Sequence, residues 1–250
     1  MSKLTERLEA VYENRERSTD FDMAAALEDV LAGVGLSAAD AGGAITHEGA
    51  DPVVASPLRL GSAATLALQA KSVAAAAMHR WRGGEGQDIH VDLRRSLRRL
   101  SPFYDSQWEL IGGYPVRSAL EYGNMMSAIF YDTADGRKVM PQAMYPNLRL
   151  RAQELLGVPL TYMPISEAIG KWNGLELEAA GDKAGIVMPM ARSLPEFLAE
   201  EQYRDVLADA PLIDVERIGD SAPEPLPQQG DLPFSGLRAL GMGHVIAGAG

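Results

Sequence analysis

The sequence contains no cysteine among its 250 residues. Without thiols the chain has no disulfide bonds, no thiolate nucleophile and no cysteine-ligated zinc site. This absence fits a reducing compartment, and we expect a cytoplasmic protein. Basic residues are in the minority, because 34 acidic residues outnumber 23 lysines and arginines and give a net charge of −11. Such a chain repels phosphate on average, so neither nucleic acid nor an anionic membrane is an expected partner.

Long apolar runs are missing as well. The most apolar stretch, 58–78, is interrupted by Arg59, Gln69 and Lys71 and consists largely of alanine. Alanine is too weakly hydrophobic to insert such a segment in a bilayer. The first 17 residues are charged throughout, so they are not expected to form a signal peptide. We therefore expect a soluble protein in which 58–78 is a buried helix.

Metal-ligand patterns are also missing. The four histidines, His47, His79, His90 and His244, lie far apart in the sequence and show no ligand spacing. We therefore expect no metal.

What the chain does contain is a series of helix and strand patterns. Apolar spacing and capping residues predict helices over 4–14, 22–32, 58–81, 94–100, 147–156, 166–180 and 194–209. Alternation predicts strands at 89–93 and 186–188, and the Asp135-Gly136 pair predicts a hairpin. The segment 37–56 is rich in glycine, alanine and aspartate and is predicted as loop, whereas 220–233 is proline-rich and is predicted as an extended linker. These patterns together indicate an α/β protein.

Three segments carry a family resemblance through their order. Residues 82–92 (RGGEGQDIHVD) follow an alanine-rich helix, 133–137 (TADGR) precede 155–159 (LLGVP), and 192–197 (RSLPEF) come later. In this order they resemble the family III CoA-transferases, a group that includes formyl-CoA and carnitine CoA-transferases and α-methylacyl-CoA racemases. The corresponding family patterns are R-x-x-G-x-G-Q-x-V-x-V, a D-G hairpin before a helix ending in L-G-x-P, and R-T-x-x-E-W.

The resemblance covers roughly 50–218 and implies only part of that fold: a small α+β domain plus helices of an incomplete Rossmann-like domain. It divides the chain into a helical and Rossmann-like part (1–105), a small α+β domain (106–190), a return helix and strand (191–219), and a linker with the start of a possible second copy (220–250). The last assignment follows from 233–240 (PFSGLRAL), which resembles the opening of a family domain. A tandem fusion and a natural short chain that pairs with a separate subunit both fit this order.

The resemblance also implies a chemistry. The transferases use an aspartate as nucleophile on an acyl-CoA thioester, and the racemases use an aspartate and a histidine as acid and base. In this sequence the family's aspartate position falls at Gly61 or Ser62, and neither replaces a carboxylate in that mechanism. The catalytic residue is therefore unassigned. Asp51 and His47 are the nearest substitutes, with an Asp-Pro turn and a solvated histidine as their structural alternatives.

A glycine-rich segment and then an arginine-rich segment follow the long helix. The glycines of 83–86 come after a helix instead of opening one, so a helix stop is favoured over a phosphate loop. Arg94, Arg95, Arg98 and Arg99 form a local cationic cluster. This cluster can hold the 3′-phosphate or diphosphate of coenzyme A, or it can pair with acidic residues of this chain or of a partner.

Two functions follow from these expectations. In the first, the chain is a half or subunit of a CoA-transferase or racemase that acts on acyl-CoA, with the active aspartate supplied elsewhere. In the second, it is a catalytically inactive structural half that stabilises a partner chain. Family members are usually interlocked homodimers, so the resemblance implies a homodimer or a homologous catalytic chain as partner.

Overall fold

The computed structural model describes residues 3–13, 21–56, 58–100, 110–111, 113–115, 126, 129–222, 224–227 and 232–241. Within them the chain combines helices with short two-stranded sheets, which confirms the mixed α/β class. The chain divides into two compact units. The first unit is Met1–Tyr12 with Ser101–Ala208, and the second unit is Glu13–Leu100 with Asp209–Gly250. The four-part division made from the sequence stays a prediction.

The second unit is built around one long helix and a pair of parallel strands. Its elements are α2 (Met23–Ala32), a 3-10 turn (Ala38–Ala41), β1 (Gly42–Glu48), α3 (Leu60–Trp81), β2 (Gln87–Asp92), α4 (Leu93–Ser96) and a second 3-10 turn (Leu97–Arg99). The strands pair in parallel, with Ile45 opposite Ile89 and His47 opposite Val91. Buried side chains from α2, α3 and β2 form one apolar core, which includes Leu27, Leu31, Val73, Ala76 and Ile89. The alanines of α3 favour helix and also permit close packing.

The loop predicted at 37–56 is wrong in part, because β1 lies within it. The glycines that suggested a loop allow a close backbone approach between β1 and the start of β2. A Cβ at Gly43 would lie 2.6 Å from the carbonyl carbon of Gln87, and a Cβ at Gly86 would lie 2.2 Å from the carbonyl oxygen of Gly42. Real Cβ atoms do not approach other atoms so closely, so only glycine fits these positions.

The glycines after α3 act as a helix stop, as predicted. Gly83 has a φ of 91°, in the left-handed region that glycine tolerates. A Cβ at Gly84 would lie 2.2 Å from Nε2 of His79, so the chain turns tightly against the last helical turn. The glycines of 83–86 therefore have the structural role of ending α3.

The first unit holds all of α1 (Lys3–Glu13) except its last residue, and it also contains the remaining short strands and helices. These are β3 (Leu110–Ile111), β4 (Tyr114–Pro115), β5 (Tyr131–Asp132), β6 (Lys138–Val139), α5 (Pro146–Leu156), α6 (Tyr162–Ile169), α7 (Gly174–Ala184), α8 (Leu194–Ala199) and a π turn (Tyr203–Leu207). The predicted Asp135-Gly136 hairpin is confirmed, because β5 and β6 pair antiparallel around it. Its Asp135 carboxylate also accepts a hydrogen bond from the backbone N–H of Gly174 at 3.1 Å, at the start of α7.

Three predicted elements of the first unit differ from the structure. The helix predicted over 166–180 is two helices, because α6 ends at Gly170 and Asn173 caps α7. The helix over 194–209 begins with the predicted Ser193 capping box but breaks at Glu200, whose ψ is 140°. The strand at 186–188 is reduced to one isolated bridge, which joins Val187 to Gln142.

Within the described part of the chain, no helix has the length and apolar character needed to cross a membrane. The cytoplasmic location stays a prediction.

The C-terminal half of the proline-rich linker and the residues just after it are anchored on Arg82, at the end of α3. The Arg82 guanidinium donates hydrogen bonds to the carbonyl oxygens of Pro227, at 3.2 Å, and Ser235, at 2.6 Å, and it also donates to the carbonyl oxygen of Pro233. One side chain therefore contacts three points between Pro227 and Ser235.

We predict that Arg82→Ala releases this segment. Hydrogen bonds from a charged donor contribute about 1.5–3 kcal/mol each when shielded from water. Chymotrypsin cleavage after Phe234 should therefore quicken by about tenfold, since roughly 1.4 kcal/mol of lost anchoring gives that factor. Arg95→Ala removes the same charge from an exposed position and is the control. Equal cleavage of the two variants would contradict the anchoring role.

Candidate functional site

The start of α3 is capped by a carboxylate from an earlier part of the chain. The residue just before the helix, Arg59, makes no side-chain capping bond. Instead, Asp51 accepts hydrogen bonds from the backbone N–H of Gly61 (3.2 Å, on Oδ1), the backbone N–H of Ser62 (2.7 Å, on Oδ2) and the Ser62 hydroxyl (2.8 Å, on Oδ2). The first N–H groups of a helix have no partner within the helix, and the N-terminus carries partial positive charge. Asp51 therefore satisfies two such donors and complements that charge.

The ionisation of Asp51 follows from these contacts. Partial burial raises the pKa of the Asp51 carboxyl, but the hydrogen bonds from Ser62 and Gly61 outweigh burial and hold this pKa below its usual range. Hydrogen bonds that stabilise the charged form make a carboxylate a weaker base and a weaker nucleophile. Asp51 is thus ionised at neutral pH, with both oxygens engaged.

The region around Gly61 is tightly packed from the other side by α4. The Ser96 hydroxyl is buried and donates to the carbonyl oxygens of Leu93 (2.7 Å) and Gly61 (3.2 Å). A Cβ at Gly61 would lie 2.4 Å from Cδ2 of Leu93 and 2.8 Å from Oδ1 of Asp51. Gly61 is one of the two positions where the resemblance places the family's aspartate, and it has no room for a Cβ unless the side chains of Leu93 and Asp51 move.

The predicted arginine cluster lies at this same end of α3. Asp92 begins α4 by accepting hydrogen bonds from the backbone N–H groups of Arg94 (3.0 Å) and Arg95 (3.2 Å). All four arginine side chains, those of Arg94, Arg95, Arg98 and Arg99, are exposed. We call residues 94–99 the arginine turn. A Cβ at Gly49 would lie 3.7 Å from Cγ of Arg94, so the arginine turn lies beside the loop that contains Asp51.

Among the described residues, three of these guanidinium groups have no carboxylate partner. The ion pairs there involve other basic residues, and the side chains of Arg94, Arg95 and Arg99 form no hydrogen bond. Within the described part of the chain, the structure thus gives no support to pairing of these three arginines with acidic groups of the same chain. Their positive charge is therefore presented to solvent in an otherwise acidic protein.

His47 is not part of this arrangement. It lies on β1 and is exposed, and no hydrogen bond joins its ring to Asp51 or Ser62 in the described part of the chain. The acid and base pair that the racemase chemistry would require is not assembled from these residues.

The partner of Ser62 was missed from the sequence. The sequence gives no sign of a partner for Ser62, one of the two residues at the family's aspartate position, but in the structure its hydroxyl donates to Asp51. The two residues are separated by 11 positions, and an Asp-Pro pair shortly before a helix is the only local signal. Because the contact depends on how the chain after β1 returns to the start of α3, spacing alone does not reveal it.

The arrangement can bind an anion on the arginine turn, but it presents no free nucleophile of its own. Within the described residues, no group of three or more histidine, aspartate or glutamate side chains is placed to hold a metal ion. Comparison with protein-family models gives no match, and a search of the curated proteins gives none either. The resemblance to family III CoA-transferases therefore depends on the sequence motifs alone.

Proposed function

We propose that the chain is a family III CoA-transferase-like protein that acts as a half or subunit of a CoA-transferase or racemase. In this proposal the second unit is the helical part of an incomplete Rossmann-like domain, and the first unit contains the small α+β domain. The observation that carries the proposal is the arginine turn, 94–99, beside the capped start of α3. Its substrate is coenzyme A or an acyl-CoA.

The charge of the arginine turn suits the phosphates of coenzyme A. Guanidinium groups form paired, charge-assisted hydrogen bonds with phosphate oxygens, and coenzyme A carries a 3′-phosphate and a diphosphate. With a net charge of −11, the rest of the chain offers phosphate little attraction. Binding should therefore depend on Arg94, Arg95 and Arg99 far more than on basic residues elsewhere.

The geometry at Asp51 is the reason to place the active aspartate elsewhere. A nucleophile must direct a free lone pair at the thioester carbon, whereas both oxygens of Asp51 accept hydrogen bonds from the start of α3. The adjacent Gly61 has no space for a carboxylate. A homologous catalytic chain, or a second copy in a homodimer with a rearranged site, would have to supply this group.

We predict that the triple variant Arg94→Ala, Arg95→Ala, Arg99→Ala loses coenzyme A binding. Each lost charge-assisted contact costs about 1.5 kcal/mol or more, so three should weaken binding by at least about 1,000-fold. The control replaces the exposed Lys71, Lys171 and Lys183 with alanine, which changes the net charge equally. Isothermal titration calorimetry of both variants measures the difference. Similar affinities in the two variants would show that the arginine turn is not the binding site.

The second candidate is a catalytically inactive structural half that stabilises a partner chain. Two observations favour it. Asp51 caps α3 with both of its oxygens. In addition, the segment 209–220 of the second unit exposes apolar side chains, among which Leu212 is 82% and Ile218 97% exposed. Exposed apolar groups of this kind are common at protein interfaces. This candidate would be excluded if the purified chain transferred acyl groups and Asp51→Asn abolished that activity. The same result would refute a purely structural role of Asp51.

A further inference from the structure

The parallel sheet of the second unit has two open edges among the described residues. It consists of β1 and β2 alone, and each strand pairs only with the other. In a parallel pair, each strand directs about half of its backbone N–H and C=O groups toward its neighbour and the rest away from it. The outward groups of an edge strand are a template for a further strand. Most sheets have about four to six strands, so this sheet is unusually narrow.

The edge of β1 has few of the features that prevent strand addition. Its sequence, GGAITHE, contains neither proline nor lysine, and its one acidic residue, Glu48, is the last. The register shift lies between Gly42 and Ile45, and pairing with β2 is regular from Ile45 to Glu48. Bulges, prolines and charged side chains, lysine above all, are what protect the edges of natural sheets. The second half of β1 is therefore open to a further strand.

A groove of about 380 Å³ lies between β1 and α2. The helix α3 packs against both strands, and α2 packs against α3, so the layer of helices extends past the edge of β1. From β1 the groove is lined by Gly43, Ile45 and His47, which share one face of the strand. From α2 it is lined by apolar side chains that include Met23 and Leu27. Alternate side chains of a third strand beside β1 would fill this groove.

The same unit contains a segment that has the composition of a strand but no partner. Residues 212–218 (LIDVERI) are rich in β-branched and aliphatic side chains, yet they form neither helix nor strand in the structure. Leu212, Val215 and Ile218 are 82%, 75% and 97% exposed. So many exposed apolar side chains in one short segment indicate a surface for a partner.

This segment would have two different faces as a strand. Its residues would alternate between a first face of Ile213, Val215 and Arg217 and a second face of Leu212, Asp214, Glu216 and Ile218. The first face suits the groove, because it combines apolar side chains with a positive charge, and Glu28 also lines the groove. The second face carries two acidic residues, which Glu28 would repel. The ion pair of Arg217 with Asp220 is largely exposed, so little stability is lost when Arg217 changes partner.

We propose that the open edge of β1 binds residues 212–218 of a second copy of this chain as a third strand, with Ile213 and Val215 over the groove. Within one chain the segment would have the advantage of a high effective concentration, yet it forms no ladder with β1. Pairing between two copies is free of the restriction that one chain imposes, and two-fold symmetry lets each copy give one strand and receive one. This assembly does not depend on whether the arginine turn binds coenzyme A.

Sedimentation equilibrium of the full chain over a range of micromolar concentrations tests the proposal. We expect a reversible dimer, which the double variant Ile213→Asp, Val215→Asp should weaken by at least about 100-fold, because two β-branched side chains can no longer be buried. The control is Leu212→Asp, Ile218→Asp, which adds the same charge at more exposed residues of the second face. It should weaken the dimer by less than about tenfold, since these residues stay in solvent and their charge is screened.

Two results of this measurement would overturn the proposal. One is a chain that stays monomeric at every concentration. The other is a control that weakens the dimer as much as the first pair does, because association would then depend on exposed apolar surface in general and not on one face of a strand.

Amide hydrogen exchange distinguishes a second copy from the same chain. Pairing between copies should slow exchange at 213–217 and at 45–48 only at concentrations where the dimer forms. Protection of 213–217 that is equal at all concentrations would place the strand on its own chain and contradict the exchange between copies.

Discussion

Gly61→Asp, which places a carboxylate at one of the two positions that the resemblance offers for the family's aspartate, should destabilise the second unit severely and yield no transferase activity. The new Cβ would lie 2.4 Å from Cδ2 of Leu93, in a region closed by α4. The new carboxylate would also lie beside the ionised Asp51, whose Oδ1 is 2.8 Å from the same Cβ position. Overpacking alone costs about 1–3 kcal/mol, and repulsion between two adjacent carboxylates adds to it. We expect a loss of about 3 kcal/mol or more in the free energy of unfolding.

Urea unfolding followed by circular dichroism measures this loss, with Gly219→Asp as the matched control. Gly219 has no atom within 4 Å of its Cβ position, so the same substitution should change stability by less than about 0.5 kcal/mol. A Gly61→Asp variant that is as stable as this control, or that transfers acyl groups, would show that the start of α3 is an open catalytic position instead of a packed one.

Asp51→Ala has the second-largest expected effect. The substitution leaves the backbone N–H groups of Gly61 and Ser62 and the Ser62 hydroxyl without their acceptor. Loss of a helix cap of this kind costs about 2 kcal/mol, at the upper end of measured values, because the cap is ionised and makes three contacts. Asp51→Asn should cost less, because an amide oxygen still accepts one of the hydrogen bonds.

The stabilisation by Asp51 should also depend on pH. Its pKa in the folded chain lies below the unfolded value of 3.8. The folded state therefore gains stability from the ionised carboxylate above that value and loses this gain as the pH falls through the folded pKa. The difference in unfolding free energy between the unmodified chain and Asp51→Ala should be constant near neutral pH and shrink below about 3.8. A difference that does not change on acidification would refute the charged cap. Asp214→Ala, at an exposed position that caps no helix, provides the control.

Elements with local signals were predicted well from the sequence. The helix α2 has Asp22 as its cap, which accepts from the backbone N–H of Ala25 at 3.0 Å, and it ends at Gly33. Both residues lie within one turn of the ends of α2, so the sequence alone identifies them as the start and stop signals of this helix. The hairpin at Asp135-Gly136 is a similar case, because an Asp-Gly turn specifies its own geometry.

Elements that depend on distant partners were not predicted. The strand β1 is rich in glycine and has little strand propensity, and it forms because β2 pairs with it across 45 residues of sequence, from Gly42 to Gln87. The break between α6 and α7 is stabilised by Asp135, which lies 39 residues before Gly174. In both cases tertiary contacts decide the local conformation.

The candidate site was predicted in part. The residues named from the family resemblance, Asp51, Gly61, Ser62 and Arg94, do lie together at the start of α3. The role of Asp51 was not predicted, because a cap delivered by a loop has no fixed spacing to the helix that it caps. Gln69 was noted from the sequence as a polar residue in an alanine-rich helix, but only the structure shows that its Oε1 is buried without a partner among the described residues.

The central claim is that the exposed arginines of this acidic chain form a binding site for coenzyme A. It is tested most directly by a calorimetric titration of the unmodified chain with coenzyme A and, in parallel, with pantetheine, which lacks the adenosine phosphates. We predict saturable binding of coenzyme A that weakens as salt is added, and no measurable binding of pantetheine, because the phosphates provide the contacts. Equal binding of the two compounds, or no binding of coenzyme A at low salt, would contradict the claim.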